Sequence, residues 1–270
     1  MFKVAILDMN DGTPNRGLRS IISHVDDYKT ELQYEIFDVR SKREIPDLSY
    51  DIFISSGGPN DPRVGDGVWD KLYYEWIDKL VEHNLKSPNK KFVFFICHSF
   101  QMACIHFKVG ELRKRFHISF GTFPCYLTKN GMKDYIFENL PNPFYIADFR
   151  NFEVVNFDII SDEYPRVLAI EQMDVHHDRE RCLMAIRFND QMYGTQFHPE
   201  AHAEGMFQYF NESNRRNQVI EEHGQERLDL MIEDLTDPLK IQLTNDTILP
   251  NFLDESILKL RQQVTNTVMI

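Results

Sequence analysis

Short apolar runs alternate with segments of helical periodicity along the first two hundred residues. Runs of strand length are predicted over residues 3–8, 34–39, 51–55 and 92–96. Between and after them, apolar positions recur at helical spacing over 15–24, 66–83 and 99–107. This alternation predicts an α/β fold, a mostly parallel sheet with helices on both faces. Further on, the region from Phe116 to Val155 reads as shorter strands with a turn at Thr128-Lys129-Asn130-Gly131. Val167 to Ile170 and Cys182 to Phe188 read as a returning strand pair, and Met192 to Phe197 as one more strand.

After residue 205 the pattern becomes helical. Met206, Phe207 and Phe210 suit a helix on the sheet. Leu228, Met231 and Leu235 form a second stripe, and Leu253, Ile257, Leu260 and Val264 a third, with Asp254 and Glu255 near its start. The expected organisation is an α/β domain over 1–205 with a helical C-terminal extension over 206–270 packed on it. Core packing explains such stripes by default; a stripe left exposed would instead serve a homo-oligomer or a partner.

Ligands of parallel α/β sheets sit beyond the carboxyl ends of the strands. The loop from Asp8 to Asn15, the Gly57-Gly58 turn and Cys97 all fall at that edge. Cys97 ends the apolar run Phe92-Val93-Phe94-Phe95-Ile96, and a distant segment reads Gln196-Phe197-His198-Pro199-Glu200. A lone cysteine closing a strand is by itself a small buried hydrophobe. A thiol served by an imidazole, with a carboxylate to orient that imidazole, is instead a nucleophilic apparatus. Pro199 fixes φ between His198 and Glu200 and limits their relative motion. The run from Asp51 to Ser55 ends in Ser56-Gly57-Gly58-Pro59, and a glycine turn leaves backbone N–H groups approachable, as an oxyanion hole requires. A helix starting near Ser99 would add its positive end beside the sulfur.

Together, and in this order, the glycine-proline turn, the strand ending in cysteine and the Gln-Phe-His-Pro-Glu segment resemble the class I glutamine amidotransferases over roughly residues 2 to 205. The resemblance implies the family's flavodoxin-like fold and a Cys-His-Glu triad. Cys97 would attack the glutamine carboxamide, His198 would shuttle the proton and Glu200 would orient His198. The backbone N–H groups of Gly58 and His98 would hold the oxyanion. Gln101, with Gly57 and Pro59 of the turn, would seat the substrate. No cofactor or metal is implied. In the family, glycine usually stands two residues before and two after the cysteine; here those places hold Phe95 and Ser99. A phenylalanine must fill space that glycine leaves open.

Composition narrows the alternatives. A net charge of −12 argues against binding a nucleic-acid backbone, and half of it lies after residue 200, where 12 acids face 6 bases. That acidic surface is either a solvated face or a docking face for a basic partner. No run approaches the roughly 20 apolar residues that span a bilayer, and the N-terminal run is too short for a signal peptide. Four cysteines, Cys97, Cys104, Cys125 and Cys182, show no metal-type or disulfide-framework spacing, which points to the cytoplasm. His176-His177-Asp178 could suggest a metal site, but adjacent histidines on a strand point to opposite faces, and a polar turn is favoured. His202, four residues past His198, could share a helical face with it.

Three functions follow from the resemblance. The first is a glutaminase subunit working through a γ-glutamyl thioester and supplying ammonia to a separate synthetase or ligase, since no Gly-rich Lys-Ser/Thr phosphate loop occurs. The second is a stand-alone hydrolase of γ-glutamyl amides or peptides. The third is a non-catalytic relative, for which Phe95 is the one supporting feature.

Overall fold

The computed structural model describes residues 1–157, 161–172 and 181–268. Its first half is built as the periodicity predicts. The strands β1 (Phe2–Asp8), β2 (Leu32–Asp38), β3 (Ile52–Ser55) and β4 (Phe92–Ile96) alternate with the helices α1 (Arg16–Asp26), α2 (Trp69–Lys86) and α3 (His98–Phe107). β3 and β4 are buried at every position, as strands covered on both faces must be. Side chains alternate between the two faces: Phe92, Phe94 and Ile96 join a core shared with α1, while Val93 and Phe95 join one shared with α2 and α3.

The region 116–155 differs from expectation. In place of several shorter strands it holds two long ones, β5 (Glu111–Leu127) and β6 (Phe144–Val155), paired antiparallel with a register shift between Lys114 and Ser119. The ladder is interrupted only at this irregularity and resumes from Ser119 to Cys125. β7 (Arg166–Glu171) and β8 (Leu183–Asn189) form the expected antiparallel pair, and β9 (Met192–Thr195) leads to His198. His176-His177-Asp178 lies outside the described residues.

The nine strands of the described residues form one sheet, in the order β2-β1-β3-β4-β9-β8-β7-β5-β6. The first five strands in that order are mutually parallel, and β5 and β8 run against the rest. With β9 as fifth strand, β2-β1-β3-β4-β9 is the flavodoxin-like order, whose ligand crevice lies at the β1/β3 switch point.

Among the described residues five α-helices follow: α4 (Ala203–Asn211), α5 (Ser213–His223), α6 (Gln225–Thr236), the short α7 (Leu243–Asn245) and α8 (Ile248–Val268). Leu228, Met231 and Leu235 of α6 are buried in a cluster with Phe120, Tyr145 and Phe149 of the sheet. Polar contacts set the register of that packing. Arg227 donates to the carbonyls of Phe120 (2.9 Å) and Thr122 (2.8 Å), and the Thr122 hydroxyl donates to Asp234 (2.5 Å). Gly121, with φ of 120°, permits this approach; a Cβ there would come within 2.7 Å of both Arg227 Nη2 and Met231 Sδ. α8 covers the α1 face of the sheet, and its Phe252 packs edge-on against Phe94 at 5.1 Å. Leu253, Ile257 and Leu260 are buried there, whereas Val264 is exposed. Among the described residues no helix is long and apolar enough to cross a membrane.

Candidate active site

Four strand ends converge at one edge of the sheet. β4 delivers Cys97, which sits at the N-cap of α3 with φ 50° and ψ −99°. A non-glycine residue in that conformation is strained, and this sharp strand-to-helix turn pushes its side chain out at the top of the sheet. Two residues on, Ser99 is completely buried, and its hydroxyl ties the turn together. Ser99 Oγ lies 2.7 Å from the Ser55 carbonyl, 2.9 Å from those of Ser56 and Ile96, and 3.0 Å from the Ile96 N–H, which donates to it. Glycine at this place would have no such tie to β3.

Phe95 is fully buried and turned away from Cys97, into the α2/α3 face, where its ring meets Phe188 edge-on at 6.0 Å. Space for it is provided across the ladder, because Phe95 pairs with Gly194 of β9. A Cβ on Gly194 would lie 2.8 Å from Phe100 and 3.3 Å from Phe188. The glycine that lets strand and helix pack closely is thus found on the neighbouring strand.

β9 delivers the base. His198 Nδ1 lies 2.8 Å from Glu200 Oε1, and its ring stands next to the Cys97 side chain across Gly57. Burial of the ring pulls its pKa down, but the Glu200 carboxylate and then Cys97 outweigh that, leaving it well above 6.5. The backbone holds the segment from three sides. His198 N–H donates to the Ala147 carbonyl (2.9 Å), Ala201 N–H to the His198 carbonyl (3.1 Å), and the Asn245 amide to the Pro199 carbonyl (3.4 Å). Gly17 of α1 backs onto Glu200, where a Cβ would stand 3.0 Å from Oε1. His202 caps α4, its Nδ1 accepting from the Gly205 N–H.

β3 delivers the glycine turn. A Cβ on Gly57 would strike His198 Cε1 at 2.8 Å and lie 3.5 Å from Cys97 Cβ, and one on Gly58 would lie 2.4 Å from the Met9 carbonyl oxygen. Both positions therefore exclude side chains. The end of β1 supports the turn from behind: Met9 N–H donates to Ser56 Oγ (2.9 Å) and the Asn10 amide to the Gly57 carbonyl (3.0 Å). Arg40 donates to the Pro59 carbonyl at 2.8 Å and stacks over Trp69. Among the described residues no protein group accepts the Gly58 N–H, and the N–H of His98 belongs to a helix's first turn, which has no intrahelical partner. The His98 ring is buried and its pKa is pushed down to about 4, chiefly by burial and then by nearby Arg40.

Gln101 is buried, its amide donating to Gln196 Oε1 (2.9 Å) and to the Phe152 carbonyl (3.1 Å). Gln196 Nε2 in turn lies 3.8 Å from Cys97 Sγ. Pro59 is exposed and faces Arg40 rather than the thiol. Sequence reasoning assigned no role to Gln196, Ser99, Asn10 or Arg40. Gln196 stands two residues before His198 at the end of a strand, which was a readable signal; the others depend on long-range contacts.

Elsewhere, donor atoms of Glu153, Glu171 and Cys182 gather within 4.8 Å, the spacing of a metal site. Both carboxylates are already paired there, Glu153 with Arg113 and Arg115, and Glu171 with Arg115 and Arg150. This is a charge network inside the sheet.

Comparison with known proteins gives a consistent result. The glutamine amidotransferase class-I family profile matches residues 18–213. A glutamine amidotransferase of Thermotoga maritima superposes with a TM-score of 0.66 at 14% identity, covering 95% of this chain and 98% of that one. A protein of Thermoplasma acidophilum described as one of the subunits of a GMP synthase superposes with a TM-score of 0.58 at 17% identity, covering 97% and 96%. The CTPS glutaminase domain of Trypanosoma brucei, solved with acivicin bound, gives a TM-score of 0.50 at 12% identity, covering 74% and 86%. No curated protein sequence matches. With the profile spanning most of the chain, the protein belongs to the class I glutamine amidotransferase family.

Proposed function

We propose that the protein is a glutaminase that works through Cys97, His198 and Glu200 and supplies ammonia to a separate synthetase chain. The observation that carries this reading is the meeting of a thiol on a strained strand-to-helix turn with an imidazole held 2.8 Å from a buried carboxylate. His198 accepts the thiol proton as Cys97 Sγ attacks the γ-carbonyl of glutamine. The N–H groups of Gly58 and His98 receive the oxyanion. Collapse of the tetrahedral adduct breaks the C–N bond; His198 returns the proton to the leaving nitrogen, and ammonia departs from a γ-glutamyl thioester. Water, deprotonated by His198, then cleaves the thioester to glutamate and regenerates the thiol. Gln101 and Gln196, linked to each other beside Cys97, are the proposed inner wall of the glutamine pocket. A location in the cytoplasm fits free thiols at all four cysteines.

The test is release of ammonia and glutamate from glutamine, measured beside γ-glutamyl amides and γ-glutamyl peptides, with and without a candidate synthetase. Glutamine turnover that rises when the synthetase is added supports the proposal. Faster turnover of γ-glutamyl amides or peptides, indifferent to any partner, would assign the stand-alone hydrolase. No turnover of any of them would leave the non-catalytic relative.

A further inference from the structure

A cavity of about 690 Å³ opens on the far side of α1, between it, α4, α5 and the sheet. Small-molecule sites typically enclose roughly 300–1,000 Å³. Its walls are apolar and aromatic, from Phe120, Phe149, Met206, Phe210 and Val219, while three guanidiniums, of Arg16, Arg19 and Arg215, line it against one carboxylate, that of Glu222. Cationic charge is thus concentrated here in a chain whose net charge is −12.

The three arginines are differently placed. Arg16 and Arg215 both lie over the Tyr209 ring, at 5.1 and 5.0 Å, which fixes the planes of their forks. Arg16 donates to the Gly205 carbonyl at 3.1 Å and is 3.5 Å from Glu212, an exposed and therefore weak pair. Arg19 is exposed and has no hydrogen-bond or ion-pair partner among the described residues. Glu222 accepts from Gln218 at 3.1 Å and lies 3.7 Å from the ring nitrogen of His223, which stacks on Phe120. A second cavity, of about 480 Å³, shares Arg16, Arg19, Phe149 and Met206 with the first and reaches His198 and Glu200. The cleft therefore runs from an arginine rim over an aromatic floor to the outer side of the His198–Glu200 pair.

We infer that this cleft is a second ligand site, separate from the Cys97 pocket, for a small aromatic anion. Its ring packs among Phe120, Phe149 and Tyr209, and its carboxylate or phosphate is held by Arg19 and Arg215. Guanidinium forks match both anions, and aromatic rings give area at low entropic cost. The inference does not depend on glutamine turnover.

Calorimetric titration of the full chain with matched probes tests it: 1-naphthyl phosphate, 1-naphthoate, neutral 1-naphthol and inorganic phosphate. At least one naphthyl anion should bind with a Kd of about 1 mM or tighter, and naphthol and inorganic phosphate about tenfold more weakly. The stronger naphthyl anion names the headgroup. Replacing both Arg19→Ala and Arg215→Ala should weaken that binding about tenfold, with Arg19→Lys plus Arg215→Lys falling between. Cys97→Ala should bind as the unaltered chain does, which separates this site from the reading of the thiol. The inference is overturned if neither naphthyl anion binds at about 10 mM, if naphthol binds equally well, if the alanine pair changes nothing, or if Cys97→Ala abolishes binding.

Discussion

The two sides of the candidate active site are built by different means. Cys97 and the glycine turn rest on short, local ties at the ends of β1, β3 and β4, with the Ser99 hydroxyl at their centre. His198 and Glu200 rest on distant parts of the chain: Ala147 of β6, Asn245 of α7 and Gly17 of α1. The nucleophile side thus rests mainly on the parallel part of the sheet. The base side is held by the antiparallel strands and the C-terminal helices, so damage far away in sequence should reach His198 more readily than Cys97.

The largest expected effects remove the proposed chemistry itself. Cys97→Ala should lower turnover by about 10⁴-fold or more, and His198→Ala comparably, because members of such a unit fail together. The thermal midpoint of Cys97→Ala should stay close to that of the unaltered chain, and Ala or Ser at Cys104, Cys125 or Cys182 should leave the chemistry intact. Glu200→Gln should cost less than His198→Ala, about 10²–10⁴-fold, because the imidazole remains but loses its orienting charge. Steady-state kinetics of the three variants rank them; Glu200→Gln falling below His198→Ala would contradict the assignment.

Next come the ties that distinguish the two sides. Ser99→Ala removes a hydroxyl that accepts from the Ile96 N–H and donates its one proton among three nearby carbonyls, and should cost about 1–3 kcal/mol of stability while also lowering turnover. Asn245→Ala removes the amide at Pro199 and leaves His24 without its 3.0 Å neighbour, and should lower turnover with no more than about 1–3 kcal/mol of destabilisation. Urea unfolding read beside kinetics separates them. If Asn245→Ala loses stability but keeps full activity, the base side does not depend on the C-terminal helices as described.

A smaller effect concerns pH. His98 has its pKa depressed from 6.5 to about 4 by burial, so between those values the unfolded chain binds a proton that the folded chain refuses. Stability contributed by neutral His98 is present above pH 6.5 and is lost as pH falls towards 4, by at most on the order of 3 kcal/mol. Unfolding free energies at about pH 7 and pH 4.5 should therefore fall more in the unaltered chain than in His98→Gln. Equal falls would show that His98 does not titrate as its burial dictates.

Much of the parallel half was legible in sequence because strands covered on both faces read as unbroken apolar runs, and the turns after them stand out by contrast. β4 is bounded as the run Phe92 to Ile96 indicates. The antiparallel half was harder to read. β5 carries Arg113 and Arg115, which are satisfied by Glu153 and Glu171 on neighbouring strands, so its periodicity is broken by partners that no local pattern reveals. Phe95 illustrates the same limit within the site. Its bulk suggested a crowded turn, but pairing with Gly194, almost one hundred positions away, lets it point into the opposite face. Ser99 could be read as small; its role as a tie between β3 and the turn needed the fold.

The most direct test of the proposed nucleophile is covalent labelling. The chain is incubated with a glutamine analogue carrying an electrophile at the γ position, then measured by intact and peptide mass spectrometry. The account predicts one adduct per chain, on Cys97, lost in Cys97→Ala and suppressed by excess glutamine, with Cys104, Cys125 and Cys182 unlabelled. Labelling of another cysteine in its place, or labelling that glutamine does not suppress, would contradict it.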